Sequence, residues 1–220
     1  QTIAAPVAAA AAFLVLAGWE QASFMTFAMD EQGYWSSLLG GDAPQYLRWM
    51  LATGAVFAGL GVAGLLRRSF TLPWAMLASG ASFLGIFLAW ARVDQLLSQP
   101  AWAALAIAAL AILAAIAWMR EGKLDDISSG LLVAGTAAMA VFAADRLLDG
   151  VWLTMAIAAL AAAMAWWGLR LATSWLGPVA AALGALAAIR LFLARELWTE
   201  DRTLPLGAHW PLYGYGIPVL

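Results

Sequence analysis

The chain has 220 residues, of which 65% are hydrophobic and 11% charged, with a net charge of −2 at neutral pH. A soluble domain carries about 45–50% apolar and about 25% charged residues, so this excess exceeds what a water-soluble core of that size hides. The balance of charge provides no basic stripe to neutralise phosphates, which excludes nucleic acid as a partner. The chain has no cysteine and a single histidine, His209, so disulfides, thiol catalysis and thiolate or histidine-built metal centres are excluded, and no cofactor is expected.

The apolar residues arrive in blocks long enough to cross a hydrocarbon core of roughly 30 Å, which takes about 20 helical residues. Seven such blocks follow one another, at 2–19, 49–66, 72–91, 101–119, 127–144, 151–169 and 175–198. They predict an all-α, polytopic transmembrane helical bundle, with 1–220 forming one membrane region. No ten-residue segment alternates with period two, which excludes a β-barrel. Pro73 falls in the first turn of its helix, where proline is tolerated. Trp19, Trp49, Trp74, Trp90, Trp102, Trp118, Trp152, Trp175 and Trp198 all fall near block ends, where amphipathic rings prefer the headgroup level.

Between the first two blocks, residues 20–45 form the longest polar-leaning connection, with aromatics among Asp30, Glu31 and Asp42. It reads as an interfacial segment resting on the membrane or as a lid over a cavity, with Gly40-Gly41 and Ala43-Pro44 marking a turn. Small residues at helical spacing, Gly54, Ala58 and Gly61 on one block and Ala81, Gly85 and Ala89 on the next, mark faces for helix packing within the bundle.

The hexamer "AIAALA" occurs at 106–111 and again at 156–161, and at the same offset of 50 Trp102 matches Trp152 and Arg120 matches Arg170. A shared offset of this kind points to a duplicated helical hairpin. The basic residues in tight loops, Arg67, Arg68, Arg120, Lys123 and Arg170, lie on one side of the membrane, which becomes the cytoplasmic side together with the amino terminus. The opposite loops then carry ten of the thirteen carboxylates. Gln1 in first place, with no cleavage pattern after the first apolar block, points to a chain trimmed at its front.

The hairpin array, the segments "VFAADRLLDGVWLTMAIAALAAAMAWWGLR" and "AAIRLFLARELW", and the closing "HWPLYGYGIPVL" together resemble a large bacterial multi-pass inner-membrane family known as domain of unknown function 2339. Members of that family are longer, with a polar amino-terminal region and many more spans. The resemblance implies that "WPLYGYGIPVL" enters an eighth span, and that partners are the lipid bilayer, further helices of the same longer chain, or a second copy. It implies no activity and no catalytic residue.

Ionisable groups at membrane depth are costly and default to functional hypotheses. Arg190 lies inside the seventh block if that helix runs to residue 198, with Arg195 and Glu196 near its rim; alternatively the helix ends at about Leu193 and Arg190 snorkels to the headgroups. Asp145, Arg146 and Asp149 form a second set at the carboxylate-rich side, with Arg92 and Asp94 at the preceding hairpin. Asp145 and Asp149 share a face if the helix continues. Three functions follow: transport or flipping of a polar or lipid-linked envelope component, which needs charges facing a cavity; a structural or scaffolding role without catalysis; and an envelope enzyme using Asp145, Asp149, Glu196 or His209 as acid or base. A non-enzyme is favoured, since the lone histidine has no nucleophile near it in sequence.

Overall fold

The structure, a computed structural model of the chain, describes residues 4–17, 25–29, 35–39, 43–67, 71–119, 124–170 and 174–193. Seven helices stand at the seven predicted places: α1 Ala4–Ala17, α2 Ala43–Arg67, α3 Leu72–Val93, α4 Gln99–Met119, α5 Asp126–Leu147, α6 Gly150–Arg170 and α7 Leu176–Leu193. Helices are the expected solution for an apolar chain, because in hydrocarbon each backbone N–H and C=O must find its partner within the segment. Among the described residues four stretches are long and apolar enough to cross a membrane: Ala43–Arg67, Leu72–Leu96, Gln99–Met119 and Asp126–Leu147. This is an all-α membrane bundle, and the apolar described parts of α1, α6 and α7 are shorter. The predicted residues 194–198 and the eighth span lie outside the described residues.

Within the connection 20–45 the chain forms a two-stranded antiparallel hairpin, β1 Met25–Met29 and β2 Trp35–Leu39, with Met25 opposite Leu39 and Met29 opposite Trp35. The Ala43-Pro44 pair is not a turn: it opens α2, with proline in the first turn of the helix. α2 therefore starts at Ala43 rather than at residue 49, because Ala43, Tyr46 and Met50 bury one face while Gln45, Arg48 and Trp49 stay exposed.

Close approach of backbones sets the pairing of α2 with α3. A methyl group on Gly54 would sit 3.0 Å from Gly85 Cα, and one on Gly61 would sit 2.4 Å from Ala78 N. The two small-residue faces expected from the sequence thus meet each other. Further along, Gly64 receives the Trp74 ring, and Gly135 of α5 touches Ser79 of α3. α3 and α5 are the more deeply buried spans, with α2 and α4 outside them. Hydroxyls within the spans return their protons to the preceding turn, Ser82 to the Ala78 carbonyl at 2.7 Å and Thr136 to the Leu132 carbonyl at 2.8 Å.

The core falls into three clusters. Phe13, Tyr46, Met50, Val93, Trp102 and Phe142 fill the end of the bundle where α3 closes and α4 opens. Leu65, Ala75, Ala78, Leu113, Ile116 and Leu132 fill the opposite end. Leu153, Ile157, Leu176, Ala180 and Leu183 join α6 to α7, with Ala137 of α5 as their link to the rest. The hexamers of the predicted repeat lie in α4 and α6, but their surroundings differ: Trp102 is 0% exposed and donates its Nε1–H to the Asp94 carbonyl at 3.1 Å, whereas Trp152 is 68% exposed. Trp49, Trp118 and Trp152 present their rings outward as expected of an interfacial belt. Trp74, Trp90, Trp102 and Trp175 do not: they turn inward, and Trp74 and Trp175 lie over Gly64 and Gly130, where no side chain blocks the ring.

At the end of the bundle where α3, α5 and α7 begin, a polar cluster ties the hairpins together. The Asp125 carboxylate caps α5 by accepting from Ser128 N at 3.1 Å, and it also accepts from the hydroxyls of Thr71 and Ser128. The Ser174 hydroxyl donates to the Asp126 carboxylate. Asp125→Ala removes the acceptor of Ser128 N and of the Thr71 hydroxyl, while the Ser128 hydroxyl keeps Thr71 Oγ1 at 2.9 Å, and should cost about 1–2 kcal/mol. Thermal unfolding in a mild detergent should show that loss, with Asp125→Asn close to wild type; equal stability of all three chains would remove the cluster from the list of what holds α5 to α3.

Candidate functional site

At the other end of the bundle, α3, α4, α5, α6 and α7 present the termini Val93, Gln99, Leu147, Gly150 and Leu193. A lateral groove of about 1060 Å³ opens there between α3 and α5 on one wall and α6 and α7 on the other. α3 supplies the aromatic ladder Phe83, Phe87 and Trp90, the first two rings stacked at 5.3 Å and the second pair 5.8 Å apart. α5 supplies Ala134, Ala138 and Val141, and then Asp145 one turn further on the same stripe. α7 buries Leu176, Ala180, Leu183 and Ala187 at helical spacing, and one turn further the stripe reaches Arg190.

A second cavity of about 450 Å³ sits above this groove, rimmed by Gln99, Asp145, Arg146, Asp149 and Arg190 among others. Asp145, Leu153 and Arg190 line both spaces, so an apolar groove and a polar mouth share one wall. Small-molecule sites typically measure about 300–1,000 Å³ and combine an apolar lining with a few placed polar groups.

Within the mouth the charges are unequally matched. Arg146 pairs with Asp145, donates to Gln99 Oε1 at 3.2 Å, and lies over the Trp90 ring with its guanidinium carbon 4.3 Å from the centroid. Phe142 completes the seat, edge-on to Trp90 at 5.7 Å. Arg146 is therefore held from three sides. Arg190 and Asp149 make no ion pair with another described residue. Trp90 Nε1 and Arg146 Nε are buried without an acceptor among the described residues.

Of the predicted site residues, the structure brings together Arg190, Asp145, Arg146 and Asp149. The condition for Asp145 and Asp149 to share a helix face is not met: α5 ends at Leu147, Leu148 turns extended at φ −129° and ψ 135°, and Asp149 lies in the link to α6. Gly150 follows with φ +52°, the left-handed conformation that glycine adopts without strain and that lets α6 start at once. Both carboxylates nonetheless rim the polar mouth. Arg92 and Asp94 line neither cavity: Arg92 is within electrostatic reach of Tyr46, and Asp94 serves Trp102 through its carbonyl. Arg195, Glu196 and His209 lie outside the described residues. Among the described residues no group of three histidine, cysteine or carboxylate side chains could hold a metal.

Sequence reasoning missed the aromatic wall and Gln99. Phe83, Phe87 and Trp90 recur at i, i+4 and i+7, which was a readable stripe, whereas the placement of Gln99 beside Arg146 depends on the crossing of α4 and α5 and leaves no local signal. The fold and the site define a class: a polytopic helical membrane protein with an amphipathic lateral groove. No family model, no curated protein and no solved structure matches the chain.

Proposed function

We propose that this chain is a bacterial inner-membrane protein that transports or flips a polar or lipid-linked envelope component, with the amino terminus of this segment in the cytoplasm and the polar mouth at the outer face. The observation that supports it is the shared wall of the two cavities, where Asp145 and Arg190 stand at the junction between apolar groove and polar mouth. Such a junction matches a molecule with an apolar tail and a polar head, and charged side chains facing a cavity are the usual mark of a substrate path in the membrane. The resemblance to the bacterial family of unknown function supports the inner membrane as its place.

Reconstituted vesicles carrying a fluorescent phospholipid test the proposal by the rate at which the label becomes accessible from the opposite leaflet. Arg190→Leu and Asp145→Asn, each checked for unchanged helicity, should slow translocation at least about tenfold, the loss expected when one charge-assisted contact is removed. Wild-type vesicles no faster than protein-free ones, or an Arg190→Leu chain as fast as wild type, would leave a structural role as the better reading.

A further inference from the structure

The charges of the mouth are ordered along the groove, and that order has a chemical meaning. The groove runs on α7 from Val179 to Arg190 and on α5 from Ala134 to Asp145. At 1.5 Å rise per residue each wall is about 16 Å long, close to half of a hydrocarbon core of roughly 30 Å. The groove is therefore one leaflet deep, with Arg190 at its end. Arg190 lines both the groove and the mouth, whereas Asp149 lines the mouth alone. Passing outward one meets apolar wall, then the Arg190 cation, then the Asp149 carboxylate, neither of them ion-paired to another described residue, whereas Arg146 is paired with Asp145.

We propose that the groove binds a zwitterionic phospholipid bearing a primary amine, its acyl chain along the aromatic ladder, its phosphate on Arg190 and its ammonium on Asp149. This assignment rests on the reading of the groove as the path of an amphiphile and names the head group. An arginine fork matches a phosphate diester in shape and charge. The ammonium, with N–H donors to give, is suited to the Asp149 carboxylate. A quaternary ammonium is recognised instead by aromatic faces, and the described residues rimming the mouth include no aromatic ring. A head group with a net negative charge leaves Asp149 unmatched beside it. The chemistry thus separates a phosphoethanolamine from both phosphocholine and phosphoglycerol.

The test is lipid binding to the delipidated chain in a maltoside micelle, followed by native mass spectrometry with phosphatidylethanolamine, phosphatidylcholine and phosphatidylglycerol of identical acyl chains. Phosphatidylethanolamine should bind about tenfold more tightly than the other two, the equivalent of one additional charge-assisted contact. Asp149→Asn should abolish that preference while leaving phosphatidylglycerol no weaker, Asp149→Glu should restore it, and Arg190→Gln should weaken all three lipids. Equal affinities, a preference for phosphatidylglycerol, or a preference that survives in Asp149→Asn would overturn the assignment. The translocation assay fails separately: a chain that shows this binding pattern but moves no lipid retains the site and loses the transport reading, and one that moves lipid without the preference does the reverse.

Discussion

Gly61→Leu should break the pairing of α2 with α3 and leave a chain that unfolds at much lower temperature in detergent. The position a Cβ would take at Gly61 lies 2.4 Å from Ala78 N, 2.8 Å from Ala78 Cα and 2.9 Å from the Trp74 carbonyl oxygen. All three atoms belong to backbone, so no rotamer change can make room and the helices must separate. Overpacking a well-filled site costs about 1–3 kcal/mol, and a clash with main chain belongs at the upper end. Packing is also most of what holds two membrane helices together, since lipid offers them no hydrophobic drive. Gly59→Leu is the control, because nothing lies within 4 Å of a Cβ there. If the two leucine variants unfold together, close approach at Gly61 is not what pairs these helices.

Arg146→Leu should be the most damaging single change in the polar mouth. It removes the partner of Asp145, the donor to Gln99 and the cation over Trp90. Breaking a fully buried ion pair by deleting one member costs about 3–5 kcal/mol. Here the side chains are 15% and 35% exposed, so water shares the charge and roughly 2 kcal/mol is the expected loss. Adding Asp145→Asn to Arg146→Leu should recover part of that loss, because the neutral amide no longer needs a cation; a double-mutant cycle on unfolding temperature measures the coupling. Arg146→Lys should fall between, since an ammonium keeps the charge but lacks the planar face that lies over the Trp90 ring. Purely additive losses in the cycle would show that Arg146 acts by packing and not by pairing.

Block length made the helices legible, because a charge-free run of span length has few other solutions in a membrane. Ends were read less well. Arg48 interrupts the apolar run, yet α2 begins about one and a half turns before it, with Tyr46 and Met50 buried on one face, and a rule that counts charges cannot see that. The shared face of Asp145 and Asp149 depends on α5 continuing, and it stops at Leu147 with no proline to mark the stop, the turn being made by Leu148 and Gly150. The small-residue faces were visible at i, i+4 and i+7 on α2 and at i, i+4 and i+8 on α3, but that they meet each other is tertiary information. The same holds for the site: Asp145, Arg146, Asp149 and Arg190 were legible as charges out of place, while the seat of Arg146 on Trp90 and Phe142 required the crossing of α3 and α5. A ring near a span end satisfies two needs equally well, and tertiary partners decide between them: a facing glycine for Trp74 and Trp175, the Asp94 carbonyl for Trp102 and the Arg146 guanidinium for Trp90.

The contact of Trp175 with Gly130 has a mechanical side. The ring lies on bare backbone at the start of α7, a Cβ on Gly130 would come within 2.5 Å of it, and the Ser174 hydroxyl is fastened to Asp126 beside it. The far end of α7 faces the open groove instead. α7, packed along its length on α6, thus has its fastened end at Trp175 and its groove-facing end at Arg190, so the α6–α7 hairpin can be treated as an arm with its fulcrum at Trp175. From Trp175 to Arg190 the arm measures about 22 Å at 1.5 Å per residue. A tilt of about 10° about the fulcrum would carry the Arg190 backbone by about 4 Å, given that arm length. A displacement of that size is comparable to the reach of an ion pair, so a small rocking of one hairpin would suffice to engage or release a charge at the mouth.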